Sequence, residues 1–382
     1  MKYLIWGYYG FGNFGDELML DEIVKRIIIH DKKAHIYIKC KEKPNCSLYT
    51  QVTPFCIEKL LFRKRNKIIN YIIYLLNIVK ILTKIDILVI GGGGLFIDKG
   101  RHNISFLILT ITTMLAKILR KKIYMIGVGI DHLKHPFSKF YLKFILRCAD
   151  KVFIREKYGY IFAKSLIQNK EKIFLTADIL FSQDIVNFLK RNFISKNQIY
   201  LGLSLIDYYL NYEPNYKKRR IFIQNILEFI KVFLDRNIPI KFLIFQEKEG
   251  DKDEKLIEDV LHNINDNSSY ISIKSLKSIE DILDVYKDLF LVVGMRYHSL
   301  VFCGILQIPF IGINHERKIQ EICMEFDMPY IDIDKLTSYK LCEEINNLKL
   351  SFKRPFLTEE ITKRADLNFS FLKELNYENI NI

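Results

Sequence analysis

Short apolar runs, almost unbroken by polar positions, recur through the first half of the chain at Tyr3–Trp6, His35–Ile38, Ile87–Ile90, Ile123–Val128 and Val152–Ile154. Between them the apolar residues space at three and four over Leu18–Ile29, Ile68–Leu82 and Phe106–Leu119, the period of an amphipathic helix. Strands that dispense with polar alternation are buried on both faces, so this alternation predicts a parallel sheet with helices on either side. The pattern restarts after roughly residue 180. Strands are expected at Ile199–Ser204, Lys241–Phe245, Tyr270–Ile273, Leu289–Val293 and Phe310–Ile313, with helices at Arg220–Leu234, Lys252–His262 and Ile279–Tyr286. The reading is two Rossmann-like, doubly wound α/β domains facing a cleft: residues 1–178, a connection over 179–197, and residues 198–355. The final helical stretch, 356–382, is expected to pack back on the first domain. A length of 382 residues agrees, because single cores stop growing near about 250–300 residues.

Charge changes this picture by being unevenly placed. Residues 1–175 carry 31 Lys and Arg against 13 Asp and Glu, and the remainder 27 against 31, within a net charge of +14. The clusters Arg63–Lys67, Arg120–Lys122 and Lys134–Arg147 give the first domain a collective attraction for an anionic partner: a membrane surface, nucleic acid or a phosphorylated substrate. Seven cysteines form no Cys-x-x-Cys pair and no metal-ligand spacing, which suits buried thiols in a reducing compartment. The opening MKYLIWGYYG has too short an apolar run for a signal peptide. The most apolar windows, Ile68–Leu82 and Ile104–Leu119, are shorter than a bilayer span and read as buried or interfacial helices.

In open parallel sheets ligands sit beyond the carboxyl ends of strands, so the loops there hold the candidate chemistry. The first is GYYGFGNFGDE, in which Gly10, Gly12, Asn13 and Gly15 allow close backbone approach before a helix whose free amides attract anions. Asp16 and Glu17 either cap that helix and complement its dipole or act on a ligand. The second is the run Gly91–Gly94, whose Gly92 and Gly93 serve tight strand–helix packing or a ligand pressed on backbone, packing being the simpler reading. The third is Arg155, directly after a strand and suited to bidentate binding of a carboxylate or phosphate. The fourth is VVGMRYHSLVFCGILQIPFIGINHERKIQE. Here Arg296, His298 and Ser299 follow one strand and Lys318 follows the next, a cation trio able to hold a small multiply charged anion. His298 is also the side chain best suited to proton transfer near neutral pH. The Gly spacing of the first loop does not match a dinucleotide fingerprint. Walker A, nucleophile-elbow, His-Glu-x-x-His and nucleic-acid-module patterns are also missing.

Taken together, GYYGFGNFGDE, GGGGLF, the arginine after Val152–Ile154 and GMRYHSLVFCGILQIPFIGINHERKI resemble the polysaccharide pyruvyl transferase family in order and spacing, over about residues 3–322. The resemblance implies a GT-B-like fold and transfer of a pyruvyl group from phosphoenolpyruvate to two hydroxyls of a sugar, making a cyclic ketal. It implies Arg155, His298 and Lys318 as ligands of the donor's carboxylate and phosphate, with Arg296 in support. It implies a growing envelope or capsular glycan, free or lipid-linked, as acceptor. The chain departs from the family where Arg155 is followed by Glu156-Lys157-Tyr158, and where Ala177-Asp178-Ile179 stands before the connection.

On this reading His298 is the general acid/base, and Asp16 or Glu17 acts as base toward the acceptor. Phosphoenolpyruvate is the co-substrate, with no redox cofactor and no metal. The expected location is the cytoplasm, at the inner face of the membrane, with Ile68–Leu82 and its flank Arg63–Lys67 as the membrane-facing element. A rival is a GT-B glycosyltransferase with a nucleotide-sugar donor, for which Glu316, Glu321 or Glu325 would hold the ribose. A third reading is a non-catalytic scaffold of envelope assembly; nucleic-acid binding is not expected.

Overall fold

The computed structural model describes residues 1–44, 46, 49–57, 67–98, 104–247, 253–264 and 270–380. Most of the basic cluster Arg63–Lys67 therefore lies outside the described residues. The chain forms two compact units. Met1–Phe11, Asp16–Gln183 and Glu360–Ile382 make the first, and Gly12–Gly15 with Asp184–Glu359 the second.

Among the described residues the first unit is built on seven parallel strands: β1 (Lys2–Trp6), β2 (His35–Lys39), β3 (Val52–Phe55), β4 (Ile87–Phe96), β5 (Lys122–Ile130), β6 (Lys151–Ile154) and β7 (Ile173–Leu175). Their spatial order is β3-β2-β1-β4-β5-β6-β7, a doubly wound sheet whose order reverses between β1 and β4. Helices α1 (Phe14–His30), α2 (Lys67–Leu82), α3 (Ile104–Ile118), α4 (Pro136–Cys148) and α5 (Lys157–Leu166) follow in chain order, and α6 (Gln183–Asn192) lies, but for Gln183, in the second unit. Leu4, Leu88, Ile90, Ile123 and Met125 of the sheet share one buried cluster with Tyr74 and Ile78 of α2, Phe106 and Leu109 of α3, and Leu142 and Ile145 of α4. α2, α3 and α4 thus cover one sheet face, and their inner apolar positions hold them there.

The four glycines depart from the expected strand end. β4 runs through them to Phe96, pairing Gly91 with Ile126 and Gly93 with Val128 of β5. The strand continues because β5 supplies a ladder partner that far, which no local pattern reveals.

The second unit has, among the described residues, six parallel strands: β8 (Tyr200–Ser204), β9 (Ile240–Ile244), β10 (Ile271–Ser275), β11 (Leu289–Gly294), β12 (Phe310–Asn314) and β13 (Tyr330–Asp332). Their order is β10-β9-β8-β11-β12-β13, reversing between β8 and β11. Its helices are α7 (Tyr208–Asn211), α8 (Tyr216–Leu234), α9 (Asp253–Leu261), α10 (Ile279–Tyr286), α11 (Tyr297–Leu306), α12 (Arg317–Glu325) and α13 (Ser338–Ser351). α14 (Glu359–Leu367) and α15 (Ser370–Ile380) lie almost wholly in the first unit. There Asn368, fully buried, accepts a hydrogen bond from Gly127 N at 2.8 Å and donates to Ala177 O at 2.9 Å. Arg26 of α1 pairs with Asp366 at 2.8 Å.

Candidate functional site

The carboxyl edge of the second sheet carries the densest candidate chemistry. Gly294, the last residue of β11, lies beside Ser204 of β8 and Gly312 of β12. Arg296 and His298 open the loop and first turn of α11; Asn314, His315 and Lys318 lead from β12 into α12. His298 and Lys318 therefore stand just past the ends of two neighbouring parallel strands. Ser204 stands at the point where strand order reverses, where a ligand crevice is expected in such sheets.

Arg296 and Ser299 are held by specific partners. Arg296 is buried, and its Nε and Nη2 donate to Asp253 Oδ1 at 2.9 and 2.5 Å. The other oxygen of Asp253 accepts from the amides of Phe245 and Gln246 at 2.9 and 3.1 Å. One buried carboxylate thereby ties the end of β9 to the start of α11. Ser299, expected at the cleft, is fully buried; its Oγ donates to Arg296 O at 2.6 Å and closes the first turn of α11. Ser204 Oγ is buried and has no hydrogen-bond partner among the described residues, a polar atom at the reversal point.

Gly12–Gly15 belong to this unit. Asn13 forms an antiparallel bridge with Gln246, and Phe14 N donates to Phe245 O at 2.9 Å. Phe14 also packs near Phe245 and Phe302. Gly15 lies directly on the imidazole of His298: a Cβ added there would overlap the ring, with Nδ1 nearest. Only glycine lets the loop lie flat on that ring, so this part of the loop is the floor under His298.

Lys318 is partly exposed and its Nζ lies 3.0 Å from Glu316 Oε1, which also accepts from His315 Nε2 at 2.9 Å. Burial alone would raise the Glu316 carboxyl; the Lys318 ammonium and His315 outweigh it and hold the group well below its ordinary value. A carboxylate lowered in the folded state contributes stability above its unfolded value near 4.5, and that stability is lost as pH falls. The stability difference between the wild type and Glu316→Gln, read by urea unfolding, is expected to hold from neutral pH down to about pH 5 and to shrink as pH falls further, through about 4.5 toward about pH 2. A difference that stays constant would show that the pairing contributes nothing to folding.

The remaining predicted residues lie in the first unit. Arg155, after β6, is buried, with Nε on Glu156 Oε1 and Nη1 on Asp178 Oδ2, both at 2.6 Å. Its guanidinium thus serves two buried carboxylates of its own unit. Glu17 Oε1 accepts from Gly10 N at 2.5 Å and folds the glycine loop back on α1. Gly10, Gly12, Gly92 and Gly93 all have positive φ. At Gly93 a Cβ would overlap Asp16 Oδ1, and the Tyr9 hydroxyl donates to Gly91 O. The four-glycine strand is shaped to admit the first turn of α1.

Comparison with protein-family models matches residues 13–317 to the polysaccharide pyruvyl transferase model. The chain belongs to the polysaccharide pyruvyl transferase family. The match covers the α1 start, the four-glycine strand, Arg155, His298 and the beginning of α12, so the pyruvyl transferase acts in polysaccharide pyruvylation. Searching curated proteins finds no match. Among solved structures, the fold is similar to the UDP-GlcNAc 2-epimerase of Methanocaldococcus jannaschii, with TM-score 0.62 at 14% identity over 99% of this chain and 100% of that one. It is also similar to the UDP-GlcNAc 2-epimerase of Neisseria meningitidis, with TM-score 0.56 at 12% identity over 100% and 99%. The HepE protein of Anabaena, solved with UDP and glucose, gives TM-score 0.57 at 11% identity over 100% and 99%. These likenesses establish a GT-B-like two-domain architecture for the pyruvyl transferase.

The sequence pattern had not singled out Asp253 or Ser204, and marked Asp178 only as part of Ala177-Asp178-Ile179 before the connection. An acid at a helix start was a visible sign for Asp253, but its partner Arg296 lies 43 positions away. Ser204 had no sign beyond ending a strand.

Proposed function

We propose that this pyruvyl transferase moves the pyruvyl group of phosphoenolpyruvate onto two hydroxyls of one sugar in a cell-envelope or capsular glycan, or in its lipid-linked precursor. The observation that carries the reading is the placement of His298 and Lys318 past the ends of adjacent strands β11 and β12 in a chain of this family. Lys318, partly exposed, supplies positive charge for the donor's phosphate or carboxylate. Arg296 adds to the local field but, tied to Asp253, chiefly shapes the loop that presents His298. Arg155 is assigned to the donor with Glu156 and Asp178 as its standing partners, so its part is to orient rather than to neutralise.

The chemistry balances without electron transfer. A proton added to the methylene carbon of the enol leaves an oxocarbenium centre at the carbon bearing phosphate. One sugar hydroxyl attacks that carbon and loses its proton. Phosphate then departs with its bonding pair, regenerating an oxocarbenium centre, and the second hydroxyl closes the ketal and loses its proton. His298 is assigned the proton delivered to carbon, and Asp16 or Glu17 the proton taken from an acceptor hydroxyl. The proposal includes no cofactor and no metal; a purified, active preparation is expected to keep its rate in excess chelator. It places the enzyme in the cytoplasm, at the inner face of the membrane that holds a lipid-linked acceptor.

A thermal-shift titration tests the donor. Phosphoenolpyruvate is expected to raise the melting temperature with concentration, and Lys318→Ala and His298→Ala to remove the rise. A rise with UDP- or GDP-sugars alone would replace pyruvyl transfer with glycosyl transfer.

A further inference from the structure

The helices that cover one face of the first sheet carry an unusual outer surface. On α2, Ile69, Ile72, Leu76 and Val79 are exposed at 48, 52, 62 and 38%, spaced three and four apart along one stripe. On α3, Ile104, Leu107, Met114 and Ile118 repeat the pattern, Ile118 at 68%. On α4, Phe137 and Phe140 stand exposed at 56 and 61%. α2 packs on α3 and α3 on α4, so the three stripes are neighbours. The inner faces of the same helices already fill the core, so this apolar surface exceeds what folding uses. Single exposed apolar side chains need no explanation, but a patch continuous over three helices does.

The charge of this surface selects the occupant. None of the three helices contains an Asp or Glu. Lys80, Lys84, Arg120 and Lys134 lie exposed on or beside them. A second copy of so cationic a face would repel the first across a two-fold contact. An anionic bilayer satisfies both features: the apolar side chains enter the headgroup–acyl boundary, and the Lys and Arg heads meet lipid phosphates. No helix among the described residues is long and apolar enough to cross a membrane.

We propose that the α2–α3–α4 face is the membrane-docking surface of this enzyme, lying in the plane of an anionic bilayer. Phe137 and Phe140 begin α4 just beyond the carboxyl end of β5, on the sheet edge where Arg155 follows β6. Docking would hold that edge at headgroup level. The proposal deepens the lipid-linked reading above and rests on it only for its purpose, since binding needs no substrate.

Flotation on phosphatidylcholine vesicles containing about one-third phosphatidylglycerol, set beside vesicles of phosphatidylcholine alone, tests it. The full chain is expected to float with the anionic vesicles, less so as salt rises. Ile72→Asp with Leu76→Asp should cut the bound fraction at least about tenfold. Lys80→Ser with Lys84→Ser should remove much of the salt-sensitive part. All four positions are exposed, so melting temperature and the phosphoenolpyruvate-induced shift should be unchanged in both variants. No flotation at low salt, or equal flotation of wild type and variants, would overturn the proposal. Light scattering that shows a dimer dissociated by Ile72→Asp/Leu76→Asp would assign the face to a second copy and also overturn it. Flotation without a phosphoenolpyruvate shift would sink the donor reading and leave the docking surface standing.

Discussion

Gly15→Ala is expected to lower pyruvyl-transfer turnover by at least about a hundredfold, the scale of loss when a proton-transfer group is misplaced by an ångström. The added methyl would occupy the space of the His298 imidazole, which lies buried against Gly15. Neither side can yield easily. Asn13 and Phe14 are bound to Gln246 and Phe245, and Arg296 before the histidine is fixed by Asp253. The ring must rotate out of its place. Overpacking of this kind costs about 1–3 kcal/mol, so the protein should still fold. Turnover and melting temperature measured on the same preparations separate the two effects. In a His298→Ala background the glycine change should add little, because the group it displaces is gone. Near-wild-type turnover in Gly15→Ala would remove His298 from the proton-transfer role.

Removing Asp253 should produce the largest loss of stability. The carboxylate is 1% exposed and holds three partners at once: the Arg296 guanidinium and the amides of Phe245 and Gln246. Asp253→Ala removes one member of this buried ion pair and the acceptor of two buried amides, a change that costs about 3–5 kcal/mol. Denaturant unfolding of the full chain measures this directly. Asp253→Ala/Arg296→Met should recover part of the loss, because the double variant removes the buried cation together with its carboxylate. A loss below about 1 kcal/mol in the single variant would mean that Arg296 finds another partner or reaches solvent. The single variant should also lose activity, since the same pair sets the loop that carries His298.

Much of this architecture was legible from the one-dimensional pattern, for an identifiable reason. Central strands of a parallel sheet are buried on both faces, so β1, β4, β5, β11 and β12 announce themselves as unbroken apolar runs. β3, β7 and β13 did not, because they are short edge strands whose pairing is set by their neighbours rather than by composition. The loops bearing Arg155, Arg296, His298 and Lys318 were singled out because a doubly wound fold sends loops after strands to the carboxyl edge, and the first three lie within residues 13–317 that match the family model.

Tertiary structure alone decided what those residues are free to do. Arg155 read as a donor ligand with Arg296 in support, and folding sets Glu156, Asp178 and Asp253 against them. The glycine loop read as a place of close backbone approach to a ligand, and at Gly15 what lies against the backbone is the His298 imidazole. The apolar windows of α2 and α3 read as buried or interfacial helices, with Ile68–Leu82 as the membrane-facing element, and only packing showed which half of each helix remains outside. Local periodicity reports that a helix has an apolar stripe; long-range contacts decide which stripe is buried, which cation is already paired, and therefore where a ligand or a membrane has something left to bind.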